Sequence, residues 1–384
     1  MTKKQREILV VTGKRGGFGA MIPTIKELNR KPGVHVVIVA TDQHLYEDFG
    51  STYNEVQQWF DIRYLVPMDQ AGDTSVDRTK ALARCMDWMA SVFKQEKPDI
   101  LLVLGDRGEI LTTVITAIHF RIPIAHIQGG DLTGNIDEYI RHAITKMAHI
   151  HFPSTEQSGQ RILQMGEEPW RVHVVGDTHL DMIFQGNYTP EDEIYKKFNL
   201  DPKRPVFLVL QHSDTRDDES SHEYMKATCE AVMSFDGQKI MVYPCTDTGY
   251  HGIINAIEEC RGHKDVQIYQ NIECRDFWGL QNIASVFIGN SSAGIIETPV
   301  FNLPSITIGD RQSDRERAAN CIHVEPDRGQ IIKAIEKCLY DPSFKESIGN
   351  CISPYGNGQS CYKIAEVLAT VNLGTGLFSK KMTY

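Results

Sequence analysis

The sequence predicts an α/β protein built from two doubly wound domains. Three observations carry that prediction: a length of 384 residues, short β-branched runs alternating with amphipathic stretches, and a restart of the alternation beyond a polar segment. A chain this long exceeds what one hydrophobic core usually organises. Strand alternating with helix gives a parallel sheet covered by helices on both faces.

The first set of runs lies at 8–11, 36–40, 62–66, 100–104, 122–127 and 172–175. They are apolar on successive residues rather than on every second one, as strands buried on both faces require. Residues 1–182 therefore form a first Rossmann-like domain. Residues 183–205 are polar, hold Pro190, Pro202 and Pro205, and read as the connection. The rhythm resumes at 206–210, 240–243, 266–269, 286–288 and 305–308, which makes 206–384 a second Rossmann-like domain. The helical stretch 362–371 fits either domain, and packing on the N-terminal one is open.

Composition narrows the function classes. A formal net charge of -10 argues against binding to nucleic acid, because sequence-independent affinity needs a basic surface that releases counterions. The apolar run behind the charged N-terminus spans only 8–11, too short for a signal segment or a membrane span, so a cytoplasmic protein without membrane contact is expected. Nine cysteines without a paired C-x-x-C spacing, some in apolar runs (Cys245, Cys321), suit reduced thiols and imply no metal site.

In open parallel sheets ligands sit beyond the carboxyl ends of the strands, so the residues following each run are the ones to weigh. The first run enters Gly13-Lys14-Arg15-Gly16-Gly17-Phe18-Gly19, a glycine-rich turn opening a helix; its free N–H groups and the Arg15 fork suit a phosphate. It matches neither the dinucleotide pattern G-x-G-x-x-G nor a Walker lysine spacing. The fourth run ends in Gly105-Asp106-Arg107-Gly108-Glu109. The fifth ends in His126-Ile127-Gln128-Gly129-Gly130-Asp131, followed by Asn135-Ile136-Asp137-Glu138 and Arg141-His142. Carboxylates gathered beside Arg107 and Arg141 suit proton abstraction from carbon and later reprotonation, since like charges raise some pKa values while arginines lower others. Helix capping is an equal reading for Glu138.

The second half carries Gln211-His212-Ser213-Asp214, Pro244-Cys245-Thr246-Asp247-Thr248-Gly249 and Gly289-Asn290-Ser291-Ser292-Ala293-Gly294-Ile295-Ile296-Glu297 at its strand ends. The last is a second candidate phosphate cradle, with Glu297 placed one to two turns into a helix for a sugar hydroxyl such as a ribose. Arg311, Arg315 and Arg317 offer cationic partners for a diphosphate, a solvated face being the plainer reading for one of the last two.

These ordered motifs resemble the hydrolysing UDP-N-acetylglucosamine 2-epimerases of sialic and related nonulosonic acid synthesis, and the resemblance runs over nearly the whole chain. It implies the glycosyltransferase-B arrangement, two domains facing across a cleft, with a nucleotide sugar as substrate, no cofactor, and a homodimer or homotetramer. It also implies elimination of the nucleoside diphosphate across carbons 1 and 2 to a glycal, then hydration that inverts carbon 2. By resemblance Asp106, Asp131 and Asp137 are the acid and base candidates and His212 assists the departing diphosphate. Arg15, Arg107, Ser291, Ser292, Glu297 and Arg311 match nucleotide-binding positions.

The chain departs from the pattern at Lys14, Gly17, Ser213 and Cys245, and at Asp131, where a glutamate is usual. One methylene fewer displaces a carboxylate by about an ångström, which costs roughly a hundredfold in rate unless the pocket compensates. UDP-N-acetylglucosamine yielding N-acetylmannosamine is the default substrate expectation, with a UDP- or GDP-linked 2,4-diacetamido-trideoxyhexose (N,N'-diacetylbacillosamine) for legionaminic acid synthesis as the main alternative. A transferase of the same fold, a non-hydrolysing 2-epimerase and a non-catalytic sugar-nucleotide sensor are the competing readings.

Overall fold

The structure is a computed structural model that describes residues 5–47, 51–72, 74–132, 136–214, 219–244 and 249–384, the side chains of Arg15 and Ile136 excepted. It divides into two compact units, Met1–Met182 with Tyr355–Tyr384, and Ile183–Pro354.

The first unit holds a six-stranded sheet of β1 (Arg6–Thr12), β2 (Val34–Thr41), β3 (Tyr64–Val66), β4 (Ile100–Leu104), β5 (Ile124–Ile127) and β6 (Ile150–Phe152). The strands are parallel in the order β3-β2-β1-β4-β5-β6. Leu9, Val11, Leu101 and Val103 join one core cluster with Met89, Phe93 and Val114 from the helices Ser75–Glu96 and Gly108–His119. The intervening Ile8, Val10, Ile100 and Leu102 are just as buried on the other face. Both faces being covered is why these runs lack alternation.

The second unit repeats the plan with β7 (Val206–Leu210), β8 (Gln238–Val242), β9 (Val266–Tyr269), β10 (Val286–Gly289), β11 (Ser305–Ile308) and β12 (Cys321–Val324). These are parallel in the order β12-β11-β10-β7-β8-β9. Successive residues of β7 separate into two cores, Phe207 and Val209 in one, Val206 and Leu208 in the other.

Three segments differ from the sequence expectation. The sixth strand of the first sheet is Ile150–Phe152, too short to read as a run, while 172–175 lies alongside it with one isolated bridge, His151 to Val172. The edge strand Cys321–Val324 is only partly buried, so its apolar signal is weak. Within 183–205, read as the connection between domains, the helix Glu191–Lys197 seats Ile194 in a core of the second unit.

The second unit ends at Pro354, and the chain beyond it rejoins the first. The buried Asp181 carboxylate accepts the N–H groups of Ser360 (3.0 Å) and Cys361 (2.7 Å), which open the helix Ser360–Thr370. At its other end Arg6 Nη2 donates to the Val371 carbonyl at 2.8 Å. The tail then docks through Lys380, whose ammonium donates to the carbonyls of Lys146 (2.7 Å) and Ala148 (2.5 Å) at the C-terminal end of the helix Ile136–Met147.

Lys380 also pairs with Glu167 at 2.8 Å, which accepts in addition from Lys146 (2.8 Å) and His151 (3.1 Å). Burial alone would raise the Glu167 carboxyl, but these hydrogen bonds outweigh it and hold it at about 2, below its ordinary 4.5. A depressed carboxylate contributes stability that is fully present above its unfolded pKa and is lost as pH falls through the folded one. Glu167→Gln is therefore expected to melt below the parent at pH 7, with the gap closing between pH 4.5 and 2. Calorimetric melting curves across that range check it; a gap independent of pH would contradict it. Among the described residues no helix is long and apolar enough to cross a membrane.

Candidate active site

A doubly wound sheet offers its ligand crevice where the strand order reverses, between neighbouring strands whose connections leave in opposite directions. In the first sheet that point lies between β1 and β4, and in the second between β7 and β10. The motifs singled out in the sequence occupy those carboxyl ends: Gly13 and Gly105-Asp106-Arg107 in one unit, His212 and Asn290-Ser291-Ser292 in the other.

In the first unit the carboxylate cluster is organised by Arg141, on the helix Ile136–Met147 and nearly buried. Its guanidinium pairs with the Asp106 carboxylate through Nη2 and donates to the Asp131 carbonyl through Nη1 at 2.8 Å. The Asp131 carboxylate accepts from the Ser158 hydroxyl at 2.6 Å. Asp137 stands in the first turn of the same helix. Burial, reinforced by the negative charge of Asp106, raises its carboxyl above the ordinary range, against the opposing pull of Arg107, Lys14 and Arg141. Asp137 thus feels the charge of Asp106, and its carboxyl keeps its proton to higher pH than an exposed aspartate would.

Beneath them the imidazole of His126 is fully buried, and burial pushes it down to about 3, so it is neutral. Its Nε2 lies 2.8 Å from the Gly105 carbonyl and its Nδ1 3.2 Å from the Thr145 hydroxyl. The carbonyl can only accept, so Nε2 carries the proton and the ring ties β5 to the Asp106 turn.

In the second unit Asn290 clasps the backbone of His212. Its Oδ1 accepts the His212 N–H at 2.7 Å and its Nδ2 donates to the His212 carbonyl at 2.9 Å. Arg311 Nη1 reaches the Asn290 carbonyl at 3.3 Å. His212, Asp214, Tyr224, Asn290 and Arg311 line one cavity of about 330 Å³. Ser291 is buried and its hydroxyl accepts the Ala293 N–H at 3.4 Å. Glu297 follows the four-residue helix Ala293–Ile296 rather than lying inside a longer one; its Oε2 accepts from Trp278 Nε1 (3.1 Å) and Gln281 Nε2 (2.6 Å). Among the described residues, the groups close enough to share a metal ion are Asp310, His323 and Glu325, all exposed.

Each unit therefore brings its own set of sequence candidates to one sheet edge: Asp106, Arg107, Asp131 and Asp137 in the first, His212, Ser291, Ser292, Glu297 and Arg311 in the second. Arg15 opens the helix Arg15–Arg30, but its side chain lies outside the described residues, as do Asn135, Cys245, Thr246, Asp247 and Thr248. Sequence reasoning missed Ser158 and the pair Asp177 and His179. The buried Asp177 carboxylate accepts from the His179 backbone and from its Nδ1, both at 2.9 Å, and from Gln128 Nε2 at 3.1 Å. The signal was present, an aspartate and a histidine just after the run 172–175, but these residues carry no charge cluster or glycine-rich turn like those after the other runs.

A family model described as UDP-N-acetylglucosamine 2-epimerase matches residues 26–369. The chain belongs to that family. It is 34% identical over 380 residues, 99% of its length and all of the relative's, to the UDP-N,N'-diacetylbacillosamine 2-epimerase (hydrolyzing) of Legionella pneumophila. It is 31% identical to the GDP/UDP-N,N'-diacetylbacillosamine 2-epimerase (hydrolyzing) of Campylobacter jejuni, covering 89% of this chain and 90% of that one. Among solved structures it is similar to the UDP-GlcNAc 2-epimerase of Neisseria meningitidis bound to UDP-GlcNAc, with a TM-score of 0.82, 20% identity, and coverage of 94% of this chain and 99% of that one. At that identity the likeness establishes the fold, a pair of parallel α/β domains. Family and relatives together identify an enzyme of the 2-epimerase type.

Proposed function

We propose that this chain is a hydrolysing 2-epimerase of a UDP-linked 2-acetamido sugar. The observation that carries the reading is the acid cluster at the β1/β4 edge, Asp106 paired with Arg141 and Asp137 raised by burial, in a chain with two relatives above 30% identity that are named hydrolysing 2-epimerases.

The reaction needs a base for the carbon 2 proton, charge compensation for the departing diphosphate, and an acid that returns a proton to the opposite face of carbon 2. Elimination breaks the C1–O and C2–H bonds and leaves a glycal and UDP; water then adds its hydroxyl to carbon 1 while carbon 2 is reprotonated. A carboxyl raised by burial holds its proton nearer neutrality, which suits Asp137 to donating. Asp106, held in place by Arg141, is then the candidate acceptor, with Asp131 fixed by Ser158 as the third acid. In the second unit His212, Ser291, Ser292 and Arg311 suit a diphosphate and Glu297 a ribose hydroxyl; in the first, Arg15 and Arg107 suit an anionic group of the substrate.

Two acetamido groups on the sugar are favoured by the two relatives at 34% and 31% identity, both named for N,N'-diacetylbacillosamine. Parallel incubation with UDP-N,N'-diacetylbacillosamine, its GDP counterpart and UDP-N-acetylglucosamine, with free nucleotide followed by chromatography, tests this. Release of UDP fastest from the diacetamido sugar is expected; release from UDP-N-acetylglucosamine alone would move the assignment to that sugar. A cytoplasmic homo-oligomer belongs to the same reading.

A further inference from the structure

Beside the glycine turn of the first unit, Arg107 is backed by three charged residues to which the proposed reaction gives no part, Asp42, Arg78 and Glu109. Asp42, in the turn Asp42–Leu45 after β2, and Glu109, in the first turn of the helix Gly108–His119, are both buried. Arg78, from the helix Ser75–Glu96, grips both. Its Nη1 and Nη2 lie 2.9 and 3.1 Å from the two oxygens of Asp42, and Nη2 lies 2.8 Å from Glu109 Oε2.

Arg107 stands differently. Its Nη2 is 3.6 Å from Asp42 Oδ2 and its Nε 3.6 Å from Glu109 Oε1, ion-pair distances beyond hydrogen-bond reach. Glu109 Oε1 and Arg107 Nε are both buried without a hydrogen-bond partner. The same Glu109 carboxyl presses on the glycine turn: a Cβ added to Gly13 would fall 2.2 Å from Oε1. One carboxylate thus touches the turn after β1 and faces the arginine after β4, the two segments of the switch point.

Burying such a cluster is a poor source of stability, since desolvation of the charges offsets most of their attraction. What the Arg78 fork supplies is geometry: two bonds to Asp42 and one to Glu109 leave the Glu109 carboxyl little freedom. Arg107, about 30% exposed, is then backed by two carboxyl groups whose positions Arg78 fixes. We propose that Arg78, through Asp42 and Glu109, is a positioning residue that holds Arg107 and the Gly13 turn in the geometry that receives the anionic part of the substrate. This rests on the reading that Arg107 contacts the nucleotide sugar.

The test is a double-mutant cycle on the full chain with Arg78→Met, Arg107→Met and the double variant, reading KM and kcat for the released nucleotide, UDP binding by calorimetry, and the melting temperature. Arg78→Met is expected to raise KM about tenfold with kcat within about threefold, and the double variant to be no worse than Arg107→Met alone, the signature of two residues acting as one unit. Arg78→Lys should restore part of the loss. Losses in KM that multiply, or an unchanged KM in Arg78→Met, overturn the proposal. If Arg78→Met fails to fold, Asp42→Asn, which keeps shape and an acceptor oxygen, carries the same expectation in the same cycle. If the parent protein releases no nucleotide from any sugar, the proposed reaction fails by itself and the cycle is read on UDP binding, where absence of coupling overturns the positioning role.

Discussion

Replacing Asp106 by asparagine lowers turnover about a thousandfold, within the range expected for loss of a general acid or base, while UDP binds within about twofold of the parent. Asparagine keeps the shape and an oxygen acceptor for Arg141, so the guanidinium is not stranded, but the amide cannot take a proton. The pairing of Arg141 with Asp106 and with the Asp131 carbonyl gives the variant a scaffold that survives the loss of charge. Steady-state kinetics beside calorimetric UDP titration separates the two effects. Equal losses in affinity and turnover would make Asp106 a binding residue, and unchanged turnover would remove it from the chemistry.

Gly289→Ala is expected to destabilise the second unit by about 3 kcal/mol or more, among the larger effects of a single substitution. Gly289 has φ +144°, and a Cβ there would fall 1.9 Å from the Leu210 carbonyl oxygen of the neighbouring strand. That oxygen is backbone and has no rotamer to yield, so the ends of β7 and β10 would have to part. Asn290, the next residue, holds His212 by two hydrogen bonds, so the separation should also loosen the His212 turn and weaken UDP binding below the melting transition. Chemical denaturation with UDP titration at low denaturant measures both. Parent-like stability would mean that the close approach of β7 to β10 is not tight in solution.

Much of this was legible in the sequence because both sheets are buried on two faces. Runs such as 8–11 and 206–210 are continuously apolar, and the residues after them fall at strand ends whatever the loop details. The glycine turns at Gly13 and Gly289 and the carboxylates Asp106 and Asp131 could therefore be assigned to one edge of each sheet from sequence alone. What escaped was what depends on distant segments meeting. Ile150–Phe152 is three residues long, and its place in the sheet comes from β5 alongside it. The C-terminal helix gives no sign of its destination; that is decided by Asp181 and Arg6, 179 and 365 residues away from their partners. Arg78 lies in the first turn of the helix Ser75–Glu96, far in sequence from its partners, and only the fold brings it between Asp42 and Glu109.

Elimination followed by hydration with inversion at carbon 2 leaves an isotopic mark on the product, which incubation in deuterated water followed by NMR detects. UDP-N,N'-diacetylbacillosamine and UDP-N-acetylglucosamine would be supplied separately and the sugar products examined at carbons 1 and 2. Free UDP and a free sugar inverted at carbon 2 that carries deuterium there are expected, because the returning proton comes from solvent-exchanged carboxyl groups. Free sugar with retained configuration and protium at carbon 2, or a nucleotide sugar bound and unchanged, would contradict elimination and hydration.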